Sequence, residues 1–165
     1  VLLNHLLNKA PWVVSPSSFC AKWEFMVPRP EEVAGAIARN EVVAPDWVMH
    51  ALRNMGAMED IAQDQRKFTM YPEGSPKHPS YNAMHAAAGG AAESLHDVNM
   101  TAENMAHFRA TAGVHYPRDN AVGLWLGQEA VARWLPGYLQ SELGFDPAQV
   151  SAVIADVRCD WGVGL

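Results

Sequence analysis

The stretch Phe108-Arg109-Ala110-Thr111-Ala112-Gly113-Val114-His115-Tyr116-Pro117-Arg118-Asp119 reads as the end of one helix, a short junction and the start of another. Gly113 is placed to close the first, because glycine takes up the left-handed backbone that commonly ends a helix at no steric cost. Pro117 is placed to open the second, since a proline at the first helical position gives up an N–H that has no helical partner anyway. His115 therefore falls in a helix-to-helix junction. Five residues separate Arg109 from His115, and three separate His115 from Asp119.

The same punctuation recurs outward from this junction. Pro30-Glu31-Glu32 opens a helix expected to run to about Asn40, its acids complementing the helix dipole. Pro45-Asp46 opens the next, expected to continue to about Lys67 with Trp47, Val48, Leu52, Met55 and Met58 on one apolar face. Pro72, Gly74, Pro76 and Pro79 make residues 69 to 79 a loop. A small-residue helix is expected from about Ser80 to Leu95, and Thr101 with Asn104 caps another towards Ala112. The helix from Pro117 is expected to pass Leu124, Leu126, Val131 and Trp134 and to reach Pro136, and Asp146-Pro147 starts a last short one towards Arg158.

No alternating strand pattern, internal repeat or low-complexity segment interrupts this reading, so the fold class is all-α, a helical bundle. The run Ala86-Ala87-Ala88-Gly89-Gly90-Ala91-Ala92 suits close helix packing, which would let His85 and Arg109 approach each other. Trp47, Met49, Met55, Met58, Trp125 and Trp134 are expected in core or interface packing.

A chain of 165 residues fits one domain, residues 1–165, with a single core. Its 49% hydrophobic and 18% charged residues are a globular composition rather than a disordered one. The longest apolar stretches are broken by charge, Gly or Pro before the ~18 residues that a spanning helix needs, so a soluble protein that does not span a membrane is expected. The net charge of −6 argues against nucleic acid or an anionic membrane as partner, because both require a basic face. Cys20 and Cys159 match no metal spacing and suggest no disulfide framework, which leaves the compartment open. The chain begins at Val1 with neither an initiator Met nor a signal-peptide pattern, as expected of a processed form or of a piece of a longer chain.

Against that acidic background, three distant blocks carry basic groups at spacings that would build one oxyanion pocket. They are Lys22-Trp23-Glu24-Phe25-Met26-Val27-Pro28-Arg29-Pro30, then His85, then Arg109 with His115 and Asp119. A tetrahedral anion needs fixed donors and positive charge; Arg29 and Arg109 can each donate two parallel hydrogen bonds, and Lys22 adds a point charge. Taken singly, each has a plainer reading. Lys22 and Arg29 are then solvated charges around a proline turn, His115 is a packed or capping histidine, Asp119 is a partner for the helix dipole and His85 is a core histidine. His78, His96 and His107 raise the question of a divalent metal site, but no His-x-x-x-His or Cys-x-x-Cys spacing supports one. His5 and His50 read as surface or core residues. Trp23, Phe25 and Phe108 flank the pocket residues and are placed to wall a halide or substrate.

In these blocks, over roughly residues 20 to 128, the sequence resembles the superfamily that joins vanadium-dependent haloperoxidases to the type 2 phosphatidic acid phosphatases and bacterial acid phosphatases. The family pattern is Lys and Arg-Pro, then Pro-Ser-Gly-His, then Ser-Arg with His and Asp, in that order. The first block matches. The third matches at Arg109, His115 and Asp119, with Phe108 in place of Ser. In the middle block, His78-Pro79-Ser80-Tyr81-Asn82-Ala83-Met84-His85-Ala86 resembles the family's His-Pro-Ser-Tyr-Pro-Ser-Gly-His-Ala, with Asn82, Ala83 and Met84 standing where Pro, Ser and Gly occur.

The resemblance implies a bundle of the haloperoxidase and acid phosphatase type, with vanadate as cofactor. It also implies that hydrogen peroxide, a halide and a small organic acceptor are the partners in halide oxidation. His115 would bond the central atom, as vanadium ligand or as the nucleophile on phosphorus, and Asp119 would hold its other ring nitrogen. His85 would be the general acid and base, and Lys22, Arg29, Arg109 and the Met84 N–H would hold the oxygens. The same residues imply an alternative, a soluble acid phosphatase that hydrolyses phosphomonoesters through a phosphohistidine. A third reading is a binding or structural homologue without activity. Ala83 removes a hydroxyl worth about 1.5 to 3 kcal/mol to a charged acceptor. Peroxidase chemistry further requires the oxidisable Met84 thioether to point away from the site. Oligomeric state is left open.

Overall fold

The computed structural model describes residues 2–93 and 99–157. It is all-α, with no strand among the described residues. The helices are α1 (Leu2–Phe25), α2 (Pro30–Ala38), α3 (Asp46–Asn54), α4 (Met58–Gln63), α5 (Met84–Glu93), α6 (Asn99–Thr111), α7 (Pro117–Ser141) and α8 (Pro147–Val157). A 3-10 turn covers Gln65–Phe68.

α5 is the centre of the fold, packed against α1, α6 and α7. Its contact with α7 depends on missing side chains. A Cβ on Gly90 would overlap the Leu124 carbonyl, one on Gly127 would overlap the Ala87 carbonyl, and one on Gly123 would lie 2.6 Å from the Ala83 oxygen. Backbone therefore meets backbone along the Ala/Gly run, as its composition suggested. Ala83, Ala86, Ala102, Ala106 and Leu124 form one core cluster among α5, α6 and α7. A second joins Leu6 and Ala10 of α1 to Ala91, Val131, Leu135, Leu139 and Val150. A third, of Ala34, Ile37, Leu52 and Ile61, holds α2, α3 and α4 together.

α1 had no counterpart in the helices read from the sequence. Its buried line falls on every fourth residue, Leu6, Ala10, Val14, Ser18 and Lys22. Pro11 and Pro16, residues that read as helix breakers, lie inside the helix and the line ends in two polar residues, so no apolar stripe announces it.

Several expected boundaries need correction. The helix from Pro45 does not run unbroken to Lys67. Gly56 turns the chain at φ +66 after α3, and the Asp64 carboxylate accepts the Arg66 N–H at 3.1 Å to start the 3-10 turn. Trp47 and Met55 are not core residues, being 75% and 55% exposed, while Met49 and Met58 do pack on the third cluster and Trp134 on the second. Trp125 is 40% exposed. α2 ends at Ala38, with Asn40 left-handed at φ 59.

α5 begins at Met84 rather than Ser80, because the polar backbone of that segment bonds elsewhere: Ser80 N–H donates to Val27 O at 2.8 Å and Ala83 N–H to Asp119 O at 3.0 Å. α7 continues through Pro136 to Ser141. Leu95, His96, Arg158 and Cys159, each named in the sequence reading, lie outside the described residues. Cys20 is a free, exposed thiol. Among the described residues no helix is long and apolar enough to cross a membrane.

Candidate functional site

The junction between α6 and α7 forms as its residues dictate. Gly113 sits at φ +76, and its N–H donates to Ala110 O at 2.9 Å, closing α6. Asp119 occupies the first turn of α7 and reaches back to accept the Tyr116 N–H at 3.2 Å. The same carboxylate oxygen, Oδ2, lies 3.3 Å from His115 Nδ1 and accepts the Ser80 hydroxyl. His115 and Asp119 are each 3% exposed. Arg29 Nη1 lies 3.0 Å from Nε2 and 3.4 Å from Nδ1, close to both ring nitrogens and so against the face of the imidazole rather than beyond one edge. An ionised carboxylate can only accept, so the proton of the neutral ring belongs on Nδ1, facing Asp119, and Nε2 is left unprotonated.

Arg29 enters from the N-terminus of α2, which Glu32 caps by accepting the Arg29 N–H at 2.7 Å. Its guanidinium is buried, and donates from Nε to His78 O at 2.9 Å and from Nη1 to Val114 O at 2.7 Å. Nη2 lies 3.0 Å from His78 Nδ1. Lys22 is fully buried at the end of the α1 line. Its ammonium donates to Pro79 O at 3.0 Å, to Ser80 O at 3.1 Å and to Asn82 O. Lys22 thus straps the loop that carries His78 and Ser80, and reaches an anion through its field rather than through a free proton.

Arg109 and His85 line a cavity of about 500 Å³ together with Tyr71 and the loop Gly74–Lys77, and neither Arg29 nor His115 lines it. Arg109 donates from Nη1 to the Tyr71 hydroxyl at 2.9 Å and lies over that ring. His85 is exposed, at the first turn of α5. A second cavity, of about 340 Å³, opens onto Arg29 and His78 and is walled by Trp23. Phe25 lines a third, with Tyr81, Tyr116 and Asp119, whereas Phe108 is 66% exposed and lines none of them. The Met84 sulfur lies 3.9 Å from Ser15 Oγ, on α1, so the thioether is turned towards that helix. The backbone N–H groups of Met84, His85 and Ala86 stand at the α5 terminus, ahead of the first helical bond from Ala87 N–H to Ala83 O.

The electrostatics tie the two sides together. Burial, then the positive field of Arg29 and Arg109, lowers Lys22 to about 8 against the pull of Asp119. Burial and Arg109 lower Arg29 to about 10. His115 falls to about 4, mainly by burial, with Arg29 and Lys22 reinforcing it and Asp119 opposing. His85 is lowered by burial, then by Arg109, His78, Lys22 and Arg29, and His78 is lowered by burial and the same three cations. Burial raises Asp119, but the bonds from His115, Ser80 and the Tyr116 N–H outweigh it and the net shift is down. The cations disfavour one another and are only partly offset by the buried carboxylates of Asp119 and Glu31, an arrangement that favours an added anion.

Sequence reasoning missed Ser80, His78, Tyr71 and the buried Asn82 as parts of this cluster. Ser80 and Asn82 stood within the middle block, but nothing local shows that the hydroxyl of Ser80 reaches across to Asp119. Among the described residues no group of three or more His, Cys, Asp or Glu could hold a metal ion, so the histidine cluster gains no support as a divalent site. No family model, no curated protein and no solved structure matches the chain.

Proposed function

We propose that this chain is a haloperoxidase-like member of the vanadium haloperoxidase and acid phosphatase superfamily, with a bundle of that type, which oxidises halide with hydrogen peroxide at a vanadate site. The observation that carries the reading is the orientation of His115. A buried, neutral imidazole has its Nδ1 proton directed at Asp119, which leaves Nε2 unprotonated with a guanidinium 3.0 Å away.

The residues fit a tetrahedral oxyanion. Arg29, Arg109 and Lys22 supply positive charge from three segments, and Arg109 Nε is buried with no hydrogen-bond partner among the described residues. His115 Nε2 would hold the central atom once Arg29 Nη1 turns from the ring to an oxygen. Asp119 fixes the tautomer that makes this possible. Bound vanadate would supply Lewis-acid activation of hydrogen peroxide towards halide. His85, its pKa lowered by partial desolvation and by Arg109, His78, Lys22 and Arg29, would accept the peroxide proton. The Met84 thioether, turned to Ser15, is kept from the oxidant.

Phosphomonoester hydrolysis is the second reading, favoured by the same nucleophilic Nε2. It needs His85 protonated to release the alcohol, and the lowered His85 restricts that to acidic pH.

Bromination of monochlorodimedone with orthovanadate, hydrogen peroxide and bromide tests the first reading. Hydrolysis of p-nitrophenyl phosphate at acidic pH, inhibited by vanadate, would replace it with the second. No turnover and no rise in Tm with vanadate or phosphate would leave an inactive homologue, because a ligand that prefers the folded state must stabilise it.

A further inference from the structure

The segment Ser75-Pro76-Lys77 is shared by two cavities, the one that opens onto Arg29 and His78 and the one lined by Arg109 and His85. It therefore stands between the two arginines. Ser75 is 5% exposed, and its Oγ is buried with no partner among the described residues. Arg109, which lines the second of these cavities together with Ser75, carries an Nε in the same condition. A buried donor left without an acceptor is costly and uncommon in a folded protein. Two of them beside one cavity point to a shared acceptor.

The position of Ser75 is tightly set. Its N–H donates to Oε2 of the buried Glu31 at 2.7 Å. The preceding Gly74 is left-handed at φ +82, and a Cβ there would lie 2.8 Å from Arg66 Cγ and 3.1 Å from Glu31 Oε2. The hydroxyl thus hangs from a backbone clamped by α2, and only its side-chain torsion is free to choose an acceptor.

We infer that Ser75 Oγ is an oxyanion donor, acting with Arg109 Nε on an anion held between Arg29 and Arg109. The inference rests on the proposed oxyanion site and adds to it a residue outside the three sequence blocks. Glu31 Oε2 accepts the Ser75 N–H and so keeps the donor in place.

The test compares the intact chain with Ser75→Ala and Ser75→Thr, by thermal unfolding without anion and by titration with orthovanadate and with inorganic phosphate. Ser75→Ala deletes an unpartnered hydroxyl, so its Tm without anion should equal or exceed that of the parent. Its anion affinity should fall about tenfold or more, as expected for a lost hydrogen bond to a charged acceptor. Ser75→Thr keeps the hydroxyl and should retain binding. Equal affinity in Ser75→Ala and the parent overturns the inference and leaves the proposed function standing. A lower Tm of Ser75→Ala without anion also overturns it, by showing that the hydroxyl serves the fold. If the parent binds neither anion, both fall.

Discussion

Arg29 Nη1 lies 3.0 Å from His115 Nε2, although the two residues are 86 positions apart in the chain. The contact joins the N-terminus of α2 to the junction before α7, and it places the guanidinium against the imidazole, within reach of anything that binds at Nε2. A lysine cannot reproduce the fork that also bonds His78 O and Val114 O.

Arg29→Lys should therefore keep the charge and lose the geometry. Vanadate or phosphate affinity is expected to fall about 10- to 100-fold, with a stability loss of about 2 kcal/mol from the unpaired carbonyls. Anion titration and urea unfolding of the same variant separate the two effects.

Stability should decline on acidification through His115. Its folded value of about 4 lies below the ordinary 6.5, so between those values the unfolded chain binds a proton that the folded chain refuses. The contribution is complete above about pH 6.5, is lost as pH falls towards 4 and is flat below. It amounts to about 3 kcal/mol over the full window. Urea unfolding at stepped pH should show the slope, and His115→Gln should flatten that part of it. Saturating phosphate should also shrink it, since an adjacent anion favours the charged ring.

The rate of halide oxidation should fall as pH drops through the lowered His85 value, because a protonated imidazole cannot take the peroxide proton. The acidic limb belongs to His85 if His85→Ala reduces the plateau rate by about 10²-fold or more and removes that limb, while vanadate still binds. An unchanged limb in His85→Ala would assign it to another group.

Gly127→Ala should be severely destabilising, by about 3 kcal/mol or more, since the new methyl would overlap the Ala87 carbonyl and force α5 from α7. Gly137→Ala, in the same helix, has nothing within 4 Å of its new methyl and should stabilise by about 0.5 to 1 kcal/mol. Thermal unfolding of the pair distinguishes close backbone packing from a general dislike of side chains in α7.

What could be read in the sequence was what the backbone decides locally. Gly113 and Pro117 mark the junction because a left-handed cap and a missing N–H act within a few residues, so His115 and Asp119 fell in the right local setting. The small residues of α5 likewise announced close packing. The helix from Pro45 was read too long because its apolar periodicity survives Gly56 and Asp64, where turn chemistry takes over. Lys22 was legible as a charge but not as a strap, since its acceptors are carbonyls at residues 79, 80 and 82. Ser80 was hidden for the same reason: a serine after a proline looks like a turn residue until Asp119 folds against it.

The ammonium of Lys22 also couples two parts of the chain during assembly. The histidine-bearing loop is held from below by the last turns of α1, so neither can take its final shape alone. A protein begun after Phe25 would lose a wall of the bundle and, with it, the hand that closes the loop. Ordering of the amino-terminal helix and readiness of the His115 centre should therefore arrive as one cooperative event.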